Sequence, residues 1–370
     1  MLSTRIIDNL DELRSIRHEW ADLLADSACN NLFLSWEWMH TWWIHMAENR
    51  ELYVILVRLE NELIGIAPLA VSPPKYSRLM PFLHLEFIAS GNIGSDYLSF
   101  ILRNSYEQTA MKAISQQITA KGYMVELTRV EEASSFTTQL PQLIQMSGGS
   151  SHSSRTNICP YIDIRDKTWQ DYCSELSRTH QKYFMRKLRK LKKDFSVDFL
   201  STTTEMDMAD AMSEFFDLHL DHWRNRGELT VFNDPRIVAF HQDFSRIASD
   251  AGWLRLFRLR LDGVTAACVY QFRYLDSYYY FQSALNDSYT KYSVGMLTLG
   301  LSIQQAISEG VHTFDLLHDN EEYKYLWTDK ERFLARLEVY PASFYGTVCR
   351  NLVKLKHFIR PPAIAYRRAA

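Results

Sequence analysis

Two kinds of hydrophobic spacing take turns along the chain, and the sequence of turns occurs twice. Leu10, Leu13, Ile16, Trp20, Leu23 and Leu24 recur at three- and four-residue steps, which predicts a helix over 9–25. A second helix is predicted over 35–47, with Ser35 as its N-cap. Apolar runs follow: LYVILVRL at 52–59, a polar turn at Glu60 and Asn61, LIGIAPLAV at 63–71, and a further strand at 84–89. The Gly-rich turn GNIGSDY leads through an apolar stretch at 98–102 to a helix over 105–121, closed by Gly122, and then to a strand at 123–129. Residues 147–154, SGGSSHSS, read as a linker.

After the linker the order recurs. Helices are predicted at 168–193, 207–225 and 235–250, followed by the strand pair LRLFRLRLDG and VTAACVYQFRY and the strand SYYYFQSAL. A loop opens the helix GMLTLGLSIQQAISEG, closed by Gly310, and the strand VHTFDLL comes next. The hairpins VRLENELIGIAPLA (57–70) and LRLDGVTAACVY (259–270) look alike, so the expectation is an internal duplication. The fold class read from this pattern is α/β with a mixed sheet, in two tandem domains at 1–150 and 151–345. The final strand FLARLEVY belongs to the second, and a basic helical tail runs over 346–370.

Composition narrows the picture. The 370 residues are 46% hydrophobic, 23% charged and 13% aromatic, enough to bury a core in two domains. A net charge of -3 gives no overall electrostatic case for nucleic acid. Cysteines at 29, 159, 173, 268 and 349 form no C-x-x-C pair and are odd in number, which argues against a zinc site or a disulfide framework and suits a reducing cytoplasm. The first twenty residues show no apolar signal region, and the apolar runs are too short to span a bilayer, so a cytoplasmic protein is expected. There is no G-x-S-x-G, Walker A or H-E-x-x-H, which leaves hydrolase and NTPase readings without support.

The candidate chemistry clusters in the second half. In VHTFDLLHDNEEYKYLW, Asp315 falls within an apolar strand, and Glu321, Glu322, Tyr323 and Lys324 crowd just beyond its end, where α/β proteins build their clefts. Glu322 or Asp315 is a candidate general base, and Lys324 a candidate grip on an anionic acceptor or an oxyanion. In KYSVGML, a helix entered through a Gly-containing turn can hold a pyrophosphate on free amides, which nominates Ser293, Val294, Gly295, Met296 and Leu297. In LSRTHQKYFMRKLRKLKK, Phe184, Leu188, Leu191 and Phe195 share one helical face while Lys182, Arg186, Arg189 and Lys193 share another. The basic face is a solvated surface, a cradle for a nucleotide- or lipid-linked sugar phosphate, or a tRNA contact, with Arg186 and Arg189 as its candidate binding residues. In HLDHWRNRG, His219 and Trp223 lie one turn apart and are candidates for an acceptor cleft; no third ligand stands out, so no metal is expected. Asp96 and Tyr97 follow the Gly-rich turn at the corresponding place in the first half. The tail is amphipathic and basic, suited to packing on the second domain or to peripheral contact with an anionic membrane.

The order hairpin, strand, KYSVGML helix and FDLL strand resembles the GNAT acyltransferase superfamily. There the corresponding turn holds the pyrophosphate of acyl-CoA, and two parallel strands splay to admit pantetheine. The superfamily's usual turn is Q/R-x-x-G-x-G/A; this chain keeps Gly295 alone, with Tyr292 and Ser293 where glycine or a basic residue would stand. The basic helix, HLDHWRNRG, the G-M-L helix and FDLLHDNEEYKYLW, with FLSWEWMHTWW and GSDYLSF in the first half, resemble the GNAT-like CelD/BcsL type linked to cellulose and exopolysaccharide biosynthesis, whose similar E-x-Y-K-x-x-W points to Lys324. The pattern also resembles the Fem-type peptidyltransferases, with tandem GNAT-like domains and aminoacyl-tRNA as donor. The resemblance implies an acyltransferase using acetyl-CoA or another acyl-CoA, with a small-molecule or lipid- or nucleotide-linked sugar acceptor and a degenerate first domain. Its rivals are a Fem-like transferase, the one case in which a nucleic acid, tRNA, is a partner, and an inactive scaffold of a polysaccharide-synthesis complex.

Overall fold

The computed structural model describes residues 1–73, 83–202, 205–344, 346–348 and 350–351. Most of the segment read as a basic tail, and the membrane contact considered for it, lies outside the described residues. The chain forms two compact units: Met1–Asn157 with the segment that begins at Arg332, and Ile158–Glu331.

The first unit opens with β1 (Leu2–Ile7), in which Ile7 alone is buried, so no apolar run announces it. The helix expected over 9–25 breaks at Ile16 into α1 (Leu10–Ser15) and α2 (Arg17–Ala25). In α3 (Trp36–Met46), the Ser35 side chain accepts from the Trp38 amide, as its N-cap role requires. β2 (Glu51–Leu59) and β3 (Glu62–Ser72) form an almost wholly buried hairpin, and β4 (His84–Phe87) and β5 (Ile101–Leu102) both pair with β3. α4 (Glu107–Lys121), ended by left-handed Gly122, crosses over to β6 (Met124–Glu131), which runs parallel to β4. α5 (Ser135–Met146) was not evident in the sequence, where Pro141 interrupts the pattern.

The segment expected as a linker is only briefly one. Gly148 and Gly149 turn the chain, and a Cβ on Gly149 would lie 2.8 Å from Ile144 Cγ2. From Ser150 onward the chain is strand β7 (Ser150–Asp163), whose first half is polar and partly exposed and so carries no apolar signal.

In the second unit the expected helix at 168–193 is two. α6 (Trp169–Glu175) ends at extended Leu176, and Ser177 caps α7 (Arg178–Asp194) by accepting from the His180 amide. Then come β8 (Val197–Ser201), α8 (Glu205–Arg224), α9 (Pro235–Asp250), β9 (Leu254–Leu261), β10 (Val264–Tyr274), β11 (Ser277–Leu285), α10 (Val294–Ser308) and β12 (Thr313–Asp315). Asp262 and Gly263 both take positive φ, 49° and 81°, which gives the β9–β10 hairpin the tight turn that matches strand twist. The strand order is β8-β9-β10-β11-β12-β7.

The last strand, β13 (Glu331–Tyr340), corrects the expected domain boundary. It was assigned to the second domain, but it pairs antiparallel with β6 of the first, Val339 opposite Val125. With it the first unit reads β1-β2-β3-β4-β6-β13. Each unit thus has an edge strand, a hairpin, a third antiparallel strand, a helical crossover, a parallel strand and an antiparallel neighbour. No helix among the described residues is long and apolar enough to cross a membrane.

Candidate active site

In the second unit β12 pairs in parallel with β11 over three positions only, Thr313–Asp315 against Ser277–Tyr279. Beyond them β11 continues to Leu285 while still paired with β10, and Phe281 is squeezed out of register between Tyr280 and Gln282. The two parallel strands part at the level of Tyr279 and Asp315, at the carboxyl end of the sheet.

One side of the parting leads to the start of α10. Ser293 takes a left-handed conformation (φ 61°) and its own amide bonds to Thr290 O. The amides of Gly295 and Met296 have no carbonyl a turn earlier to accept them. Leu297 does: its N–H is spent on Ser293 O and its side chain is fully buried, so it leaves the set of groups able to meet an anion. A Cβ at Gly295 would come within 3.2 Å of Leu285 Cδ2, a close approach that glycine permits.

The basic helix α7 adjoins this turn. Tyr183 Oη lies 3.2 Å from Ser293 Oγ, and Lys187 Nζ donates to Lys291 O at 3.5 Å. Arg186 and Lys187 stand 5.4 and 5.3 Å from the Tyr183 ring centre. The Ser293 hydroxyl, and after it these cations, hold the Tyr183 phenol below its ordinary pKa. Arg189 is exposed on the same face and its Nε donates to Met185 O.

The other side of the parting is the loop after β12. Asp315 is buried and its Oδ1 accepts from the Leu317 amide at 2.8 Å, so the acid read as a candidate base braces the exit turn. That turn needs bracing, because Leu317 and Asp319 have φ of 56° and 81°. Lys324, read as a grip on substrate, is instead buried and fully engaged. Its ammonium donates to Leu317 O at 3.3 Å, His318 O at 2.7 Å and Asp319 O at 3.0 Å, and pairs with Glu321 at 2.9 Å. Glu322 is exposed on the same turn.

Tyr323 is 40% exposed, and Tyr280 of β11 is buried. Burial holds the Tyr323 phenol well above its ordinary pKa and pushes that of Tyr280 up to about 12. Both stay protonated near neutrality.

His219 of α8 is buried beside β11. Its Nδ1 lies 3.2 Å from Ser283 O, a pure acceptor, so Nδ1 carries the proton; Nε2 accepts from Thr230 Oγ1 at 2.8 Å. Both nitrogens are taken and burial lowers the pKa to about 4. Trp223 is partly buried, its ring 6.2 Å from that of His219. The rest of HLDHWRNRG converges on Asp287: His222 Nδ1 at 2.7 Å, Asn225 Nδ2 at 2.9 Å and Arg226 at 3.3 Å. This ties the end of α8 to the turn before α10. Among the described residues no group of His, Cys, Asp and Glu is arranged to hold a metal ion.

Asp96 and Tyr97 belong to the first unit and are partnered within it. Asp96 is fully buried and pairs with Arg129 at 3.4 Å; the Tyr97 carbonyl accepts from Asn31, and Arg332 stands 6.0 Å from the Tyr97 ring. Residues that sequence reasoning missed are Tyr183, Lys187, Tyr280, Ser283, Thr230 and Asp287. Tyr183 alone left a trace, as the tyrosine next to Lys182 in α7.

Acid should weaken this unit through its histidines. His219 and His241, the latter held by burial to about 3, are neutral when folded, whereas the unfolded chain takes up those protons near pH 6.5. Their stabilisation is therefore complete above that pH and is lost as pH falls toward 4, by about 2 kcal/mol for each group at pH 5. Urea midpoints measured from pH 8 to 5 should fall below pH 6.5, and His219→Gln should remove about half of that decline.

Comparison with known proteins agrees with this geometry. Residues 178–325 match the acetyltransferase (GNAT) domain family. No curated protein sequence matches the chain significantly. Among solved structures, FemX is similar over 95% of this chain and 99% of its own, with 11% identity and a TM-score of 0.64. A conserved protein of unknown function from Bacteroides thetaiotaomicron is similar over 91% and 99%, at 10% identity and a TM-score of 0.55. The C-terminal domain of an Agrobacterium fabrum protein assigned as a lysylphosphatidylglycerol synthetase is similar over 94% and 97%, at 10% identity and 0.53. At these identities the likeness is one of fold. Over residues 178–325 of a mixed α/β framework, the chain thus matches the acetyltransferase (GNAT) domain family.

Proposed function

We propose that the chain transfers an acyl group, acetyl in the simplest case, from acyl-CoA to an amine or hydroxyl of a polysaccharide or cell-envelope precursor in the manner of the CelD/BcsL type. The observation that carries the donor half of this reading is the parting of β11 and β12 beside the start of α10, where the amides of Gly295 and Met296 lack helical acceptors. Acyl-CoA supplies an activated thioester. The amides of Gly295 and Met296 are suited to its pyrophosphate, and the short edge of β11 freed after Tyr279, before His219 meets the Ser283 carbonyl, to the amides of its pantetheine arm. Ser293 in place of a glycine still reaches the left-handed conformation, so the departure from the usual turn does not close the site.

The proton inventory points away from Asp315 as the base and from a proton-transfer role for His219. Asp315 is committed to Leu317, and His219 holds its proton on the side of Ser283. The Tyr323–Tyr280 pair is the better-placed acid, since a phenol kept protonated by burial can donate to charge that develops on a leaving sulfur. An acceptor amine or hydroxyl would lose its proton to solvent or to exposed Glu322. Tyr323→Phe should then lower kcat by about tenfold to a hundredfold and leave KM for the acyl donor nearly unchanged.

A second reading, transfer from aminoacyl-tRNA, is favoured by the likeness to FemX along almost the whole chain. A thermal-shift titration separates the two. Acetyl-CoA at about a hundred times its dissociation constant should add about 2.7 kcal/mol of stability. No shift at millimolar acetyl-CoA, with a steeply salt-dependent shift on charged tRNA, would replace the first reading by the second.

A further inference from the structure

α7 carries eight Lys and Arg residues and a single Asp, in a chain whose net charge is -3. Arginines elsewhere find carboxylates: Arg17 with Glu37, Arg50 with Glu86, Arg155 with Glu132, Arg255 with Glu309. Among the described residues none of the eight cations of α7 forms an ion pair. Arg178, Lys182, Arg189 and Lys193 share its outward face, a stripe about 22 Å long at the rise of an α-helix. Beside that stripe opens a cavity of about 640 Å³ lined by Thr179, Lys182, Tyr183, Arg186 and Arg189. Tyr183, which lines it, also meets Ser293 at the turn that opens α10.

We propose that this cavity is the clamp for the 3′-phosphoadenosine end of the acyl donor, with Arg186 and Arg189 on the 3′-phosphate and the exposed Tyr183 ring as a platform for the base. The inference rests on the acyl-CoA reading and adds to it a source of donor specificity. In coenzyme A the ribose that bears the pyrophosphate at its 5′ position bears a further phosphate at its 3′ position. A pyrophosphate held at the start of α10 therefore brings a second dianion close by, and unpaired guanidinium groups meet a phosphate with two parallel hydrogen bonds. The Tyr183 ring is 36% exposed, lines the cavity and has Arg186 and Lys187 beside it, the ring and cations that base stacking uses.

The test is isothermal titration of the full chain with CoA and with 3′-dephospho-CoA, repeated on Arg186→Gln/Arg189→Gln. Both side chains are exposed, and circular dichroism would verify that the variant is folded. The expected result is a preference for CoA of about tenfold or more that falls toward unity in the variant, with affinity for 3′-dephospho-CoA unchanged. Equal binding of the two ligands by the unaltered chain overturns the clamp and leaves the acyl-CoA reading standing, whether or not the variant folds. A preference that survives in the variant also overturns it, because the phosphate is then read elsewhere. Failure of both ligands to bind removes the acyl-CoA reading and the clamp with it.

Discussion

Lys324→Met should destabilise the second unit by about 3 kcal/mol, and any loss of turnover should follow from that rather than from missing chemistry. The ammonium holds three consecutive carbonyls, Leu317, His318 and Asp319, in a turn where Leu317 adopts a left-handed conformation that L-residues avoid at a cost of roughly 1–2 kcal/mol. Without it the Leu317 carbonyl is left dry, since Leu317 is 3% exposed, and the turn has Asp315 as its remaining brace. Glu321→Gln should cost under about 1 kcal/mol, because that partner is half exposed and the carbonyls stay satisfied. Urea unfolding and kcat measured on the same samples decide the matter. A lysine that handled substrate would show kcat falling by orders of magnitude with the unfolding midpoint in place.

Gly300→Ala should be the most damaging single methyl in the second unit, at about 3 kcal/mol or more. The added Cβ would stand 2.3 Å from Phe184 Cε2 and 2.6 Å from Trp327 Cη2. Those rings pack edge to face at 5.6 Å, and Trp327 also meets His180 at 4.6 Å, so neither can withdraw without disturbing the other. Intrinsic preference points the opposite way, because alanine favours a helix interior by about 1 kcal/mol over glycine. The sign of the measured change therefore separates propensity from packing. Phe184→Leu should recover part of the loss in the double variant, and a purely additive pair would argue against the clash.

The predictability of this chain varies with burial. The hairpins β2–β3 and β9–β10 are legible because most side chains in them are buried and each run is interrupted by a polar turn. β1 and β8 are not, since edge strands with one face in water need few apolar residues. Helices were found in place but overextended, because Ile16 and Ser177 break the chain without disturbing its hydrophobic period. At the candidate site, the KYSVGML turn and the basic face of α7 were recognisable from residue type and spacing. The roles of Asp315 and Lys324 were not, because a carboxylate or ammonium just past a strand looks the same in sequence whether it faces a ligand or its own backbone. Only the three carbonyls around the Lys324 ammonium tell the two apart.

The pairing of β13 with β6 also bears on how the protein is made. β6 ends at Glu131 and its antiparallel neighbour begins at Glu331, so about 200 residues separate the two halves of that ladder. At a synthesis rate of roughly 5–20 residues per second, the ribosome needs some tens of seconds to deliver the missing strand. Throughout that interval the nascent first unit displays the open edge of β6, an array of unpaired amides and carbonyls inviting a strand from any passing chain. Ribosome-bound intermediates stalled before Glu331 should therefore recruit chaperones more strongly than those stalled after Tyr340 has emerged.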